Sequence, residues 1–285
     1  MRTFLDKLHD LKLKEVAQRR KIISENNLRS QAEALGNATD FRTALLRAPD
    51  ESISLIAEVK SKAPGRKNVE SLDPEAVVRD YESGGAKAIS VLTDENWFGG
   101  SLETLEIVSE ASVLPLLHKE FIITPYQLLE GRLRGASAAL ILAYYFQQAE
   151  LAKIIAEAKT IGLEAVVECS LETELPRALA VNPEILMINN RAIAAIPEEP
   201  VKTYDLGSVD VISSWWERNP ELRSWKKQPG KLLISASCVY SKKDIQSLLK
   251  IPCDAVLIGN AAMVAPDRAA FIRSLSKTAK ESLSS

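Results

Sequence analysis

The chain is poor in the residues that build metal centres and covalent scaffolds. It holds two histidines, His9 and His118, and three cysteines, Cys169, Cys238 and Cys253, with no ligand-type spacing among them. A histidine-rich metal centre is excluded, and so is a disulfide framework; the low, odd cysteine count fits a reducing compartment. No apolar run approaches the roughly 18 residues that span a bilayer. The opening stretch MRTFLDKLHDLKLKEVAQRR is charged and helical and lacks the apolar centre of a signal peptide. A cytoplasmic location with no membrane partner is therefore expected. An excess of either charge is also missing. With 36 basic and 38 acidic residues the formal charge is −2, which leaves no electrostatic footprint for nucleic acid. One further absence is local. The stretch LISASCVYSKKDI (233–245) reads as a strand, a tight loop and a helix start, yet its loop has no glycine to let bare backbone N–H groups approach an anion.

What is present is a repeating alternation. Short apolar, β-branched runs at 53–59, 87–93, 115–121, 138–144, 164–170, 184–190, 231–237 and 254–260 read as strands. Amphipathic stretches follow them, several with start signals: Asp-Pro at 73–74, Ser101, and Thr-Pro at 124–125. Pro176 is expected to kink the helix at 171–181. Continuous apolar strands are buried on both faces, hence parallel. Eight such units over roughly 230 residues fit a closed (β/α)8 TIM barrel, with an open doubly wound sheet as the alternative. Residues 1–48 are expected to form an N-terminal helical extension of two or three helices packed on a barrel domain spanning 49–285. The polar, tryptophan-bearing stretch 215–230 reads as an enlarged helix and loop before the seventh strand.

In a barrel the site forms at the C-terminal ends of the strands. Those ends carry Glu58 and Lys60, Lys119 and Glu120, Glu168, Asn189 and Arg191, Ser237, then Gly259 and Asn260. Period two places Glu58 with Lys60, and Asn189 with Arg191, on one face. Charged groups in apolar strands are costly unless paired, so rim ion pairs are the plain structural explanation for any one of them. Convergence of Glu58, Lys60, Lys119 and Glu168 from three strands points instead to proton transfer, one group as acid and another as base. A lysine Schiff base is the other chemistry this set allows.

The segments LIAEVKSKAP, AISVLTDENWFGGSLETL, LPLLHKEFIITPYQLLEGRLRGA, VVECSLETEL, INNR and VLIGNAAMVAPD are similar to the indole-3-glycerol-phosphate synthase family, from about residue 40 to the C-terminus. The resemblance implies a lyase that closes a pyrrole ring on a substituted anthranilate with loss of carbon dioxide and water, using no metal or organic cofactor. It implies Lys119 as the acid that activates the carbonyl, Glu168 as the second proton-transfer group, and Glu58, with Asn189, at the reacting centre. Lys60 is implied at the substrate's polar end, with Arg191 beside it. Ser237, Phe121, Gly259 and Asn260 complete the expected substrate-binding set. Tyr144 joins it as a ring able to stack on a flat substrate, or else belongs to the rim core.

The chain departs from that family at the phosphate end. Ala63-Pro64-Gly65 stands where the family has SPS. Ser235-Ala236-Ser237-Cys238 stands where it has SESG, and Gly259-Asn260 replaces a glycine followed by serine or glutamate. A β-carbon at 238 disfavours the left-handed backbone that glycine takes there. Three readings follow. The first is a divergent branch cyclising a non-phosphorylated, indole-containing β-keto acid, as in scytonemin-type pigment biosynthesis. The second is an authentic tryptophan-biosynthesis synthase with an unusual phosphate site. The third is a non-catalytic binding barrel, against which Lys119 and Glu168 count. In the first two the partner is a small aromatic keto-acid substrate, and a homodimer is compatible with either.

Overall fold

The computed structural model describes residues 2–36, 38–48, 51–62, 72–193 and 207–278. Eight parallel strands close on themselves: β1 (Ser54–Val59), β2 (Ala88–Leu92), β3 (Leu116–Lys119), β4 (Ala138–Leu142), β5 (Glu164–Cys169), β6 (Ile185–Asn189), β7 (Leu232–Ala236) and β8 (Ala255–Ile258). Closure is made by β8 pairing with β1, Ser54 opposite Ala255 and Ala57 opposite Ile258. That pairing rules out the open doubly wound sheet. The observed strands are shorter than the apolar runs because the last residues of several runs leave the ladder and turn into the site. Glu120 and Phe121, for example, lie beyond β3.

Alternation along each strand divides the apolar residues into two layers. Ile56, Leu117, Leu140, Val166, Met187, Ile234 and Leu257 fill the barrel. Their sequence neighbours Leu55, Ile141, Val167, Ile188, Leu233 and Val256 face the surrounding helices. The helices begin as their sequences require. In α4 (Pro74–Gly84) the Asp73 side chain accepts the Ala76 N–H and Gly85 ends the helix in the left-handed region. Other outer helices are α6 (Leu102–Ala111), α7 (Pro125–Leu133), α8 (Gln148–Thr160), α9 (Leu175–Ala180), α12 (Lys242–Leu248) and α14 (Arg268–Ser276). Pro176 sits in the first turn of α9, where its missing N–H costs nothing, so it starts that helix instead of kinking one. The 215–230 stretch holds the end of α10 (Asp210–Arg218), the whole of α11 (Pro220–Lys226) and a turn at 227–230, so the enlarged helix is two helices; Trp215 and Trp225 are buried on their inner faces. The fold-breaking signal there, Asn219-Pro220, divides two helices. No described helix is long and apolar enough to cross a membrane.

Three helices precede β1: α1 (Phe4–Ile22), α2 (Glu25–Glu33) and α3 (Phe41–Leu45). The first and third close opposite ends of the barrel, and α2 packs on its flank with Leu28 and Ala32 against Tyr126 and Leu129. Phe41 and Leu45 of α3 join the interior cluster where strands begin, with the Arg42 N–H on Glu164 at the head of β5. Phe4, Leu5 and Leu8 of α1 join it at the other end, where α1 meets groups that follow β2, β3 and β4.

His118 shows how alternation decides fate. One residue before Lys119, it faces away from the barrel interior, is 1 % exposed and shares a 3.0 Å hydrogen bond between Nε2 and Thr93 Oγ1. Its ring occupies the space left by Gly131, where any side chain would collide with it. Burial, with the Lys12 and Arg19 charges added, pushes its pKa down from 6.5 to about 3. A depressed histidine stabilises the fold fully above pH 6.5 and loses that contribution as pH falls toward 3. The expected loss is on the order of 3 kcal/mol by pH 4. Thermal melts of wild type and His118→Asn between pH 7 and 4 should converge as pH falls; parallel curves would contradict this account.

Candidate active site

The strand ends bring the charged residues into one cavity at the mouth of the barrel. Its walls include Glu58, Lys60, Lys119, Glu120, Phe121, Glu168, Asn189, Arg191 and Ser237, with Leu92, Phe98, Leu140, Leu142 and Ile193 as the apolar part. Glu58 and Lys60 project together from the end of β1, and Lys60 Nζ lies 2.5 Å from Glu58 Oε1. Burial works to raise the Glu58 carboxyl, but Lys60, Lys119 and Arg191 outweigh it and hold it below the usual range, ionised. Gly259 abuts this pair, and a β-carbon there would run into both side chains. Across the mouth, Lys119 Nζ lies 3.6 Å from Glu168 Oε2, and Asn189 Nδ2 donates to Glu168 Oε1 at 3.1 Å. Asn189 Oδ1 in turn accepts the Arg191 N–H. Glu168 is fully buried, so its two partners are what make its place there tolerable.

The apolar wall has a partner the sequence reading passed over. Phe98 ends a single helical turn, α5 (Glu95–Phe98), whose N–H groups at Trp97 and Phe98 donate to Asp94, and Gly99 stops it in the left-handed region. The Phe98 ring then stands 5.9 Å from that of Phe121. The FGG triplet was the available signal: two glycines after an aromatic mark a forced turn that fixes its ring.

Two expected residues fall elsewhere. Tyr144 does not line the cavity. Its hydroxyl donates to Asp6 Oδ1 at 2.9 Å and shares a 2.8 Å hydrogen bond with Thr3, fastening α1 over the mouth. Tyr145 does the same to the Leu5 carbonyl. The polar tips of these rings are spent on the N-terminal helix, so the substrate-stacking assignment is withdrawn. Asn260 opens α13 (Asn260–Met263) and is not among the cavity walls. Ala63, Pro64 and Gly65 lie outside the described residues.

The loop after β7 corrects another expectation. Ser237 and Cys238 both adopt the left-handed region, with φ of 70° and 64°. The loop keeps a glycine-type backbone and fills it with side chains, at roughly 1–2 kcal/mol per residue. Asn190 offsets that cost. Buried beside the loop, its Nδ2 donates to Ser235 Oγ and the Ser237 carbonyl, and its Oδ1 accepts the Ile212 N–H of α10.

Behind the cavity lies a second charged cluster. Lys12 of α1 is 1 % exposed, and its ammonium lies 2.8 Å from Asp94, 3.2 Å from Glu120 and 3.0 Å from Glu15. Burial disfavours this charge, yet Glu120 and Asp94 outweigh it and keep the group protonated far above the ordinary lysine range. Glu120 also accepts the Phe121 N–H at 2.6 Å, so Lys12 holds the chain at the residue between Lys119 and Phe121. A charged surface helix is all the sequence displays at Lys12; its partners lie about 80 and 110 positions downstream.

A family model described as indole-3-glycerol phosphate synthase matches residues 5–275 of the chain. Among curated proteins it is similar to the indole-3-glycerol phosphate synthase of Roseiflexus sp. (strain RS-1), 36% identical over 282 residues, covering 96% of this chain and 98% of the relative. It is similar also to that of Carboxydothermus hydrogenoformans, 33% identical, covering 93% and 96%, and to that of Microcystis aeruginosa, 35% identical, covering 92% and 84%. Among solved structures, thiamine phosphate pyrophosphorylase from Pyrococcus furiosus aligns with a TM-score of 0.54 at 13% identity, over 83% of this chain and all of that one, a likeness of fold alone.

Removing the Lys12 ammonium leaves three carboxylates without their shared cation. Lys12→Met should cost about 3–5 kcal/mol, the usual result of breaking a buried ion pair from one side. Adding Glu120→Gln should recover part of the loss. Urea unfolding of the two single variants and the double variant checks it; additive losses would show that Lys12 and Glu120 act independently.

Proposed function

The chain belongs to the indole-3-glycerol phosphate synthase family, and on that footing we propose that it closes the pyrrole ring of a phosphorylated anthranilate derivative in tryptophan biosynthesis. It is a carbon–carbon lyase of the decarboxylating, ring-closing kind. The observation that carries the reading is the meeting of Lys119 with Glu168 at 3.6 Å, beside the Glu58–Lys60 pair, in one partly apolar cavity.

The chemistry follows from these groups. The ring carbon that bears the carboxylate attacks the ketone carbon, and Lys119 gives its proton to the ketone oxygen as the new bond forms. The bond to the carboxylate then breaks, its electron pair restores the aromatic ring, and carbon dioxide leaves. The remaining hydroxyl departs as water while Glu168 moves the proton that this elimination requires. Glu58, kept ionised by its three cations, stabilises positive charge that develops on the ring nitrogen. Asn189 orients Glu168. Phe98 and Phe121 take the aromatic ring, and Lys60 with Arg191 takes the anionic end.

A second reading keeps the chemistry and changes the substrate. Ala236 and the side chain of Cys238 at a left-handed position favour a phosphate-free, indole-containing β-keto acid. The relatives named above carry the synthase name and lend the scytonemin-type assignment no support, so the order of the two readings is reversed from the one the loop alone suggested.

The wild-type chain should convert the phosphorylated precursor at an ordinary enzymatic rate, on the order of 1–10 s⁻¹. Lys119→Ala should lower kcat about 10²–10⁴-fold with an unchanged circular dichroism spectrum. Fluorescence of the indole product follows both. Turnover confined to a phosphate-free keto acid would give the second reading its place, and a fully active Lys119→Ala would remove Lys119 from the acid role.

A further inference from the structure

Three cations line the cavity, and two of them sit in ion pairs. Lys60 faces Glu58, and Lys119 faces Glu168. Glu120, also a wall residue, shares Lys12 behind it with Asp94 and Glu15. Among the described residues no carboxylate pairs with Arg191. Its contacts are neutral: Nη2 donates to the Tyr240 hydroxyl at 3.0 Å, and the Cys238 thiol lies within its reach. Cys238 and Arg191 both pack on Gly207, where a β-carbon would strike them. The Arg191 Nε is buried with no hydrogen-bond partner.

Tyr240 is placed for this by its own backbone. The chain turns at Ser237 and Cys238, which Asn190 pins, and the Tyr240 and Ser241 N–H groups then donate to Asp244 at the start of α12. A phenol fixes a guanidinium's direction without cancelling its charge, whereas a carboxylate would do both. We propose that Tyr240 is a positioning residue that fixes the direction of Arg191, a cavity cation in ion-pair contact with no carboxylate among the described residues, and that this arrangement selects substrates bearing an oxyanion at the β6–β7 side of the mouth. The inference deepens the reading given under Proposed function and rests on it for the identity of the site. The oxyanion is a carboxylate or a phosphate, and the two are separable by probe.

The test is equilibrium binding to the intact chain by calorimetry, with anthranilate, inorganic phosphate and neutral indole as probes. Tyr240→Phe should weaken the anion that Arg191 serves about tenfold, the value of one hydrogen bond to a charged group. Tyr240→Glu, which supplies the missing carboxylate, should weaken it further, while indole binds all three proteins alike. Loss confined to one anion names the source. In turnover, Tyr240→Phe should raise KM by a similar factor with kcat within about twofold, since only ground-state and transition-state binding alike are touched. The half-exposed position of Tyr240 leaves the fold insensitive to both changes, which melting checks. Unchanged anion affinity in Tyr240→Glu, equal weakening of indole, or no binding of either anion to wild type would overturn the proposal. An absence of turnover on the phosphorylated precursor would count against the reaction assigned above and leave the binding comparison standing.

Discussion

Pairing of β8 with β1 is the constraint on which the rest of the molecule depends. Once the sheet closes, every strand is covered on both faces, by the barrel interior and by the helices. A charged side chain then has no way out to water except past the end of its strand. That is why Glu58, Lys60, Lys119, Glu168 and Arg191 meet at one rim although they come from four strands. Closure also removes every free sheet edge, so the strands can be as apolar as they are without offering a template for pairing with another chain.

The same constraint makes neutralisation a matter of geometry. Buried ions are tolerated only in company, and the mouth satisfies this in two shells. Inside it, Lys60 faces Glu58 and Lys119 faces Glu168. Behind it, one ammonium, that of Lys12, is shared by Glu15, Asp94 and Glu120. The two shells touch at Glu120, which lines the mouth while bonding Lys12. The fastening of α1 is therefore continuous with the frame around Lys119.

What could be read from the sequence was what depends on short spacing. The eight apolar runs gave their strands, and period two correctly set Glu58 with Lys60 and Asn189 with Arg191. Residues whose role depends on distant partners were not legible. Tyr144 sits at a strand end like a site residue, yet its hydroxyl belongs to Thr3 and Asp6, some 140 positions earlier. Lys12 looks like one more charge on a polar helix. Cys238 argues against a left-handed turn by its type, and only the Asn190 contacts show how the turn is held regardless. Trp215 and Trp225 lie in a stretch that read as one enlarged helix and a loop, and its division into two short helices, each burying a tryptophan, was not legible.

The route taken by α1 bears on how the chain is made. Thr3, Asp6 and Lys12 are synthesised before their partners Asp94, Glu120 and Tyr144, which lie as much as 141 positions later in the chain. Until then Phe4, Leu5 and Leu8, which end fully or almost fully buried, have no barrel to enter. During translation α1 is thus an apolar-faced segment without its partners, the kind that chaperones protect. Docking of α1 at the mouth therefore waits for the residues that follow β2, β3 and β4.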